Sequence, residues 1–495
     1  MKNNSNAESK ICQFYDGKTI FITGATGFMG KVLVEKLLRS TNVKKIYVLI
    51  RSKKGMEIKY RLQELMSAKI FDNVKKNKPD AMSRIEAIPG DITEPDFAIN
   101  ADDKRKLTEE VAIVFHSAAT VKFDEDLTKA VDLNVVSVFT IMDICRKMKK
   151  LEVMIHVSTA YCNPQLKHIS EEVNPNNGDP EGIIALCKKS DPELLNSPKM
   201  TAQIIGNKPN TYTFTKALGE SAVIQKGGSL PIAIVRPSIV VSSWKEPMPG
   251  WIENLNGPTG IIAGAGKGVL RSVHCKREMI ADFVPVDVPI NLAIAAAWKT
   301  ATQPTNEIPV YNSGSSTTNP ISWGDLVDNG LVSMKKYPVE NALWYPGLTC
   351  FYYAWFAFIT QVLFHTFPSY ILDAVSVLTG RKPVMRRVVQ KMHRALKVLA
   401  YFSTHEWKWS NDNVMKLNSE LIGTDKETFN FDLSTLDWKE FMDDYVKGTK
   451  QYVLKEDPAT QEKARAHLNK MYWVEKCLQV FMLIAIGRFA FYMFA

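Results

Sequence analysis

Residues 19–30, T-I-F-I-T-G-A-T-G-F-M-G, decide the fold. The β-prone residues 19–22 run into a turn with glycines spaced G-x-x-G-x-x-G, and the apolar, helix-forming segment 32–38 follows. This order predicts a strand, a tight turn and a helix whose free N–H groups bind the phosphates of a dinucleotide. The alternative is a glycine turn without a ligand. We assign these residues of the turn to cofactor binding: Thr23, Gly24, Thr26, Gly27, Phe28 and Gly30.

Apolar segments that alternate with helical patterns continue along the chain. They predict buried strands at Lys45–Ile50, Ile85–Ile88, Val111–His116, Val153–Val157 and Pro231–Val241. This alternation predicts the α/β class, with a doubly wound parallel (Rossmann) sheet that binds its ligands at the carboxyl ends of the strands. At and beyond those ends we assign further cofactor contacts: Asp91, Ile92, Ala118, Ala119, Asn134 and Pro237.

The end of the second predicted strand carries basic residues. An NAD enzyme places an Asp or Glu here, on the ribose 2′-hydroxyl, but this chain has Arg51, Lys53 and Lys54 instead. Such a cluster favours the 2′-phosphate of NADPH, and we assign Arg51 and Lys53 to its binding. The alternative is that these are ordinary exposed charges of a loop.

A candidate catalytic pair lies in the segment 212–216, Y-T-F-T-K. Residues four apart share one face of a helix, so Tyr212 and Lys216 should be neighbours. A tyrosine has an ordinary pKa of about 10, and a nearby ammonium should lower the pKa of Tyr212 towards a useful range. The lysine can also hold the nicotinamide ribose, so we assign both residues to cofactor binding as well. Ser158 or Thr159, after the fifth strand, would hydrogen-bond the substrate carbonyl, and Thr159 is favoured. The alternative is a surface helix pair that matches Y-x-x-x-K by chance.

Four longer segments resemble a known family. They are V-F-H-S-A-A-T-V-K-F-D-E, H-V-S-T-A-Y-C-N, P-N-T-Y-T-F-T-K-A-L-G-E and V-R-P-S-I-V-V-S-S-W-K-E-P-M-P-G-W-I-E-N-L-N-G-P-T-G. They resemble the fatty acyl-CoA reductases, membrane-bound extended short-chain dehydrogenases, and the likeness covers nearly the whole chain. It implies reduction of a long-chain acyl-CoA by two NADPH to a primary alcohol, through an aldehyde that stays bound. It also implies that Tyr212 and Lys216 are catalytic and that Gly24, Gly27 and Gly30 form the cofactor turn.

The formal charge of +10 is concentrated in part at residues 381–397, which hold seven Lys and Arg and no acid. An anionic membrane surface, nucleic acid or plain solvent could face such a run. This basic run and the resemblance to a membrane-bound family together predict a lipid bilayer as partner, and we expect no binding of nucleic acid. The seven scattered cysteines indicate a reducing compartment and no metal site. We make no prediction of oligomeric state.

Two late segments are candidates for membrane contact. Leu348–Phe367 is free of formal charge and has basic flanks on both sides, which favours a hairpin or in-plane segment bent at Pro368 over a simple crossing. Cys477–Ala495 predicts a C-terminal anchor, with Arg488 relieved by snorkelling. We expect a membrane-bound protein whose catalytic domain faces the cytosol, on the endoplasmic reticulum or peroxisome.

These observations predict a series of consecutive regions along the chain. They are a disordered lead (1–16), an NADP-binding catalytic domain with substrate loops (17–345), a membrane hairpin (346–380), a helical region (381–472) and an anchor (473–495).

Two other functions share part of the sequence pattern described above. A membrane-associated dehydrogenase of sterols or nucleotide-sugar alcohols would keep the glycine turn and Y-x-x-x-K, and a lipid-binding scaffold would keep the fold without activity.

Overall fold

The computed structural model describes residues 9–52 and 55–494. The described strands are β1 (Thr19–Thr23), β2 (Lys45–Ile50), β3 (Ile85–Pro89), β4 (Ile113–His116), β5 (Val153–Val157), β6 (His168–Ile169), β7 (Ile232–Pro237), β8 (Ile239–Val241), β9 (Ser272–His274), β10 (Ile280–Ala281), β11 (Phe283–Pro285), β12 (Val310–Ser313), β13 (Ile321–Ser322), β14 (Thr349–Phe351) and β15 (Lys408–Trp409).

The described α-helices are α1 (Lys10–Tyr15), α2 (Phe28–Ser40), α3 (Ile58–Ser67), α4 (Asp72–Asn77), α5 (Ala101–Glu110), α6 (Leu127–Val131), α7 (Ser137–Lys147), α8 (Pro180–Lys189), α9 (Pro192–Leu195), α10 (Pro198–Ile205), α11 (Thr211–Gly227), α12 (Pro258–Gly266), α13 (Asp287–Thr302), α14 (Trp323–Lys336), α15 (Ala354–Gln361), α16 (Phe367–Leu378), α17 (Met385–Ser403), α18 (Asp412–Glu420), α19 (Thr424–Thr428), α20 (Trp438–Gly448) and α21 (Gln461–Phe494).

The chain forms two compact units that take alternating stretches of sequence. The first unit comprises the described residues up to Met248, Asp282–Pro320 and Trp407–Thr435. The second comprises Pro249–Ala281, Ile321–Glu406 and the described residues from Leu436 onward. The segment 407–435, which the sequence places in a C-terminal helical region, therefore belongs to the unit that contains β1.

A parallel sheet of seven strands lies at the centre of the first unit, in the order β12-β7-β5-β4-β1-β2-β3. The chain winds outward from β1 in one direction to β2 and β3, and then from β4 in the other. Every residue of β1 and β5 is buried, as expected for parallel strands covered on both faces. The predicted α/β class and doubly wound parallel sheet are confirmed. The strand order reverses between β1 and β4, where such sheets bind their ligands.

Five of the six predicted strands match those of the structure to within two residues at either end, and the sixth is divided. The predicted strand 231–241 forms β7 and β8, and β8 leaves the large sheet to pair with β11. The division follows Pro237, which has no backbone N–H to donate to a sheet ladder. We did not predict β12, the edge strand beside β7.

The segment 407–435 returns to the first unit through its aromatic residues. The indole N–H of Trp407 donates to the carbonyl of Pro164 (2.8 Å), and that of Trp409 donates to Ala160 (3.0 Å). Both indoles pack edge-on against the Tyr161 ring, with centroids 5.3 and 5.2 Å away. The turn after β5 is thus supported by residues far away in sequence.

In the second unit, helical structure runs without interruption from Ala354 to Leu378, through a π-helical turn at Val362–Thr366. The chain therefore does not reverse at Pro368 as a hairpin would, and the in-plane alternative stays a prediction. Pro368 occupies the first turn of α16 and has no backbone N–H to donate. The π-helical turn directly before it already departs from the regular hydrogen-bond pattern of an α-helix, so the helix continues past the proline. Asp373, the one acid of the apolar stretch, accepts from the N–H groups of Met385 (2.8 Å) and Arg386 (3.0 Å) and so caps α17.

Among the residues that the structure describes, no helix is both long enough and apolar enough to cross a membrane. The C-terminal anchor coincides with the second half of α21 and includes Ala495, which lies outside the described residues. The anchor stays a prediction.

Candidate active site

The glycine turn is packed too closely for larger residues. Gly24 has φ +81°, and a Cβ on it would lie 2.7 Å from the backbone nitrogen of Ala118, just after β4. A Cβ on Gly30 would lie 2.2 Å from the Gly24 carbonyl oxygen. Among the described residues no side chain caps the start of α2 after Gly27, and the N-terminus of a helix favours a bound phosphate. The turn therefore fits a dinucleotide pyrophosphate.

Thr23 and His116 link the ends of the two central strands. Their positions pair in the β1–β4 register, and the Thr23 hydroxyl lies 2.8 Å from His116 Nδ1. The Ala118 N–H donates to the same hydroxyl at 3.3 Å. Burial lowers the pKa of His116 to about 3, so the ring is neutral. The histidine was missed by our sequence reasoning, although it ends the predicted fourth strand.

The residues assigned to the adenosine half of the cofactor lie on neighbouring strand ends. Arg51 follows β2 and Asp91 follows β3, with 3.7 Å between Arg51 Nε and Asp91 Oδ2. The Arg51 side chain remains 63% exposed, and Thr93 donates to Asp91 through both its N–H and its hydroxyl. Ile92 packs against the core below the sheet end. Lys53 lies outside the described residues.

The candidate catalytic helix, α11, begins at a well-formed cap. The Asn210 side chain accepts a hydrogen bond from the Thr213 N–H at 2.9 Å, which explains N-T-Y-T as a helix start. The Tyr212 ring packs edge-on against Phe123, with centroids 5.3 Å apart. Its hydroxyl is hydrogen-bonded with Thr159, whose hydroxyl also lies 3.4 Å from the Pro237 carbonyl oxygen. Tyr212, Thr159 and Pro237 therefore meet where β5 and β7 end.

The pKa of Tyr212 differs from our expectation. Burial raises it to about 12, and the hydrogen bond with Thr159 opposes that rise. Lys216 is not among the groups that lower it, and its Nζ donates to the Val157 carbonyl at 2.8 Å. Burial in turn lowers the pKa of Lys216 to about 8. Tyrosine and lysine are thus both protonated at neutral pH.

Ser158 differs sharply from its neighbour Thr159. Within the described ranges its buried hydroxyl has no hydrogen-bond partner. A buried hydroxyl left unpaired is costly, and this one lies just after β5, near the strand ends that bind ligands in such sheets. It is therefore a free polar group for a bound ligand, whereas Thr159 already contacts Tyr212.

Asn134 lies in a π-helical turn, Asp132–Val136, and is 2% exposed. The side-chain oxygen of Asn134 accepts a hydrogen bond from the Thr120 N–H (3.0 Å). Its side-chain NH₂ group donates to the Thr120 carbonyl (3.3 Å) and to the Thr215 hydroxyl (3.0 Å). These contacts hold the loop after β4 against the catalytic helix. Ala119, in that loop, is half-buried.

Two cations lie next to this site, the buried Arg236 and the half-buried Lys208, and our sequence reasoning assigned neither of them a role. Arg236 and Glu220 are both fully buried and form two hydrogen bonds of 2.7 Å, which join β7 to α11. Lys208 donates to the Cys162 carbonyl (2.6 Å) and to Asn163 Oδ1 (2.8 Å), and burial lowers its pKa to about 8. Lys208 lies two residues before the N-cap residue of α11. This position next to the catalytic helix is the one feature of the sequence that could have marked it as a candidate site residue.

Known proteins are similar to this chain along almost its whole length. Two family models described as "Male sterility protein" match residues 22–293 and 364–456. "Fatty acyl-CoA reductase 1" of Xenopus laevis is 43% identical, with 97% of this chain and 93% of that protein covered. The human protein of the same name is 41% identical with the same coverage, and "Fatty acyl-CoA reductase 2" of Bos taurus is 42% identical over 94% and 90%.

Solved structures share the fold at low sequence identity. The reductase domain of a nonribosomal peptide synthetase from Mycobacterium tuberculosis superposes with TM-score 0.58 at 17% identity, covering 89% of this chain and 94% of that one. The terminal R domain of the myxalamid pathway gives 0.56 at 16% identity, covering 88% and 90%.

The glycine turn on a doubly wound sheet and the tyrosine–lysine helix beside β5 define a nicotinamide-dependent oxidoreductase of the extended short-chain dehydrogenase type. Relatives above 40% identity extend over nearly the full length of the chain. The chain belongs to the fatty acyl-CoA reductase family.

Proposed function

We propose that this protein reduces a long-chain acyl-CoA with two NADPH to a primary alcohol and coenzyme A, through a bound aldehyde. The observation that carries the proposal is the 43% identity to a fatty acyl-CoA reductase over 97% of the chain. The hydrogen-bonded pair of Thr159 and Tyr212 supplies the chemistry that a carbonyl reduction needs.

Thr159 and Tyr212 are the groups that we place on the substrate carbonyl oxygen. When bound, the reduced nicotinamide supplies hydride to the carbonyl carbon. Negative charge then develops on the oxygen, and two hydroxyl donors held in advance stabilise it. Because the pKa of Tyr212 is raised to about 12, its hydroxyl carries the proton that the oxygen receives.

Lys216 holds the nicotinamide ribose in this proposal. It lies one helical turn further along α11, and at neutral pH its pKa of about 8 leaves it mainly an ammonium. One of its N–H groups donates to the Val157 carbonyl, and an ammonium has two more donors for the ribose hydroxyls. The same residues serve both rounds, first on the thioester and then on the aldehyde.

Cys162 does not act as a nucleophile in this proposal. It is fully buried in the turn after Thr159, and burial raises the pKa of its thiol to about 12. Thiolates, not thiols, attack thioesters, so a covalent acyl-enzyme at Cys162 is disfavoured. Direct hydride reduction of the thioester requires no such intermediate.

Arg51 supports NADPH rather than NADH as the cofactor. It stands at the end of β2, where NAD enzymes carry an acid, and most of its side chain is exposed. A guanidinium pairs well with a phosphate. We place the 2′-phosphate of NADPH on Arg51.

We further propose that the protein binds a lipid bilayer, with its catalytic unit facing the cytosol at the endoplasmic reticulum or peroxisome. Support comes from the aromatic side chains exposed on the helical stretch 354–378, among them Trp355 (57%), Phe358 (66%) and Phe367 (61%). The basic helix α17 packs against α16. Aromatic residues favour the membrane interface and basic residues favour anionic headgroups.

Product analysis tests the proposed activity. Membranes that contain the full chain would receive NADPH and saturated acyl-CoAs from myristoyl-CoA upward, with extracted lipids resolved by gas chromatography. We expect fatty alcohol, free coenzyme A and two NADPH consumed per alcohol. Cofactor oxidation with a sterol, and none with any acyl-CoA, would overturn the proposal.

A further inference from the structure

Two cysteines that the proposed reaction does not use meet in the second unit. Strands β9 and β14 pair in parallel, with Cys350 opposite Val273. Cys275 continues this ladder, because its N–H donates to the Phe351 carbonyl at 3.1 Å. Side chains alternate along a strand, so Cys275 lies on the same face as Val273 and Cys350.

Both cysteines belong to one apolar cluster. Cys275 is 4% exposed and packs with Leu270, Val273 and Leu396, and the half-buried Cys350 lies against the same group. The two thiols hydrogen-bond to each other, and the Arg277 guanidinium also reaches Cys350. These contacts bring two sulfurs and one cation together.

The contacts distinguish the two sulfurs. The thiol of Cys275 donates to Cys350 and lowers the pKa of Cys350, and the positive charge of Arg277 acts in the same direction. The same hydrogen bond, followed by burial, raises the pKa of Cys275. These contacts therefore favour ionisation of Cys350 over ionisation of Cys275. A thiolate next to an arginine is the reactive form of cysteine.

The surroundings also leave a route for a small reactant. Arg277 pairs with Asp328 at 2.7 Å, and these two side chains are 45% and 62% exposed. Cys350, which Arg277 contacts, is half-buried, whereas Cys275 is buried. A reactant from solvent thus reaches Cys350 first.

We propose that Cys350 and Cys275 form a site of reversible oxidation by hydroperoxides, with Cys350 as the reacting sulfur and Cys275 as the resolving sulfur. The Cys350 thiolate attacks the outer peroxide oxygen and breaks the O–O bond. This gives a sulfenic acid and an alkoxide or hydroxide, which takes a proton from solvent. The Cys275 sulfur then attacks the sulfenic sulfur, its proton leaves with the hydroxide as water, and a disulfide forms.

The electron count balances, because the two thiols lose two electrons and the peroxide gains them. A reducing thiol restores both cysteines by exchange. Cys350 stands in the strand that leads into α15, the start of the exposed aromatic stretch. Oxidation would therefore tie β14 covalently to the end of β9 at the base of that stretch.

The test uses the full chain and does not depend on reductase activity. The reduced protein would be exposed to hydrogen peroxide with or without dimedone, blocked with iodoacetamide, digested and examined by mass spectrometry. We expect a Cys275–Cys350 disulfide that dithiothreitol reverses. Cys275→Ser should accumulate the dimedone adduct at Cys350, and Cys350→Ser should leave Cys275 unmodified.

Two comparisons make the result decisive. The half-buried Cys187, whose pKa is raised by burial, is the internal control, and oxidation of Cys350 no faster than that of Cys187 would overturn the proposal. Arg277→Met should slow labelling of Cys350 roughly tenfold, because loss of the guanidinium raises the pKa of the thiol and reduces the thiolate fraction. Unchanged labelling in that variant, or oxidation of Cys350 without any disulfide to Cys275, would also overturn it.

Discussion

Thr159→Val should separate the two hydroxyls that follow β5. The substitution removes the oxygen that hydrogen-bonds Tyr212 and keeps a branched side chain of similar size. A hydrogen bond to a charged group contributes about 1.5–3 kcal/mol, and we place the Thr159 hydroxyl as one of the two donors to the substrate oxygen on which negative charge develops. Turnover should fall roughly ten- to hundredfold.

The assay is the initial rate of NADPH oxidation with palmitoyl-CoA, together with NADPH affinity in the absence of substrate. Affinity should stay unchanged, because Thr159 does not belong to the phosphate-binding turn. Thr159→Ser keeps the hydroxyl and should retain most of the rate. Ser158→Ala tests the other candidate hydroxyl, which contacts no protein group within the described residues and should contribute less to the rate. A larger loss in Ser158→Ala than in Thr159→Val would refute the assignment.

Four further outcomes are expected. Tyr212→Phe should abolish turnover and leave NADPH affinity nearly unchanged, because only the proton donor is lost; retained activity would exclude the mechanism. Arg51→Ala should narrow the ratio of kcat/KM for NADPH over NADH, and an unchanged ratio would place the 2′-phosphate elsewhere. Gly30→Ala puts a Cβ 2.2 Å from a backbone oxygen and should abolish NADPH binding, measured by fluorescence titration. The control is Gly487→Ala, where the added Cβ meets no atom within 4 Å, and this variant should bind NADPH normally. Turnover should fall as pH rises through about 8, because Lys216 then loses its ammonium; a flat profile across that pH would contradict its role.

The sheet could be predicted because its signals are local. Buried parallel strands are continuous apolar runs, and the glycine spacing marks the turn between β1 and α2. The division of the sixth strand was also visible in principle, since Pro237 cannot extend a ladder. The edge strand β12 gave a weaker signal, because it is four residues long and ends in polar residues.

The electrostatics of the site could not be predicted from spacing alone. Y-x-x-x-K places Tyr212 and Lys216 on one helix, but the pKa of each depends on burial by other parts of the chain. Phe123 packs against the tyrosine ring, and the Val157 carbonyl takes the lysine's hydrogen bond. Neither contact has a sequence signature near residue 212. The direction of the Tyr212 shift was therefore wrong in the sequence-based expectation.

The buried ion pair of Arg236 and Glu220 connects this geometry to the sheet. Removing two charges from water is costly, and apolar residues of similar volume would often serve stability as well. The pair instead fixes how α11 lies against β7, because both hydrogen bonds of 2.7 Å require one orientation of the helix. The same strand ends at Pro237, whose carbonyl lies 3.4 Å from the Thr159 hydroxyl. The ion pair thus sets the relative position of the two groups that we place on the substrate oxygen.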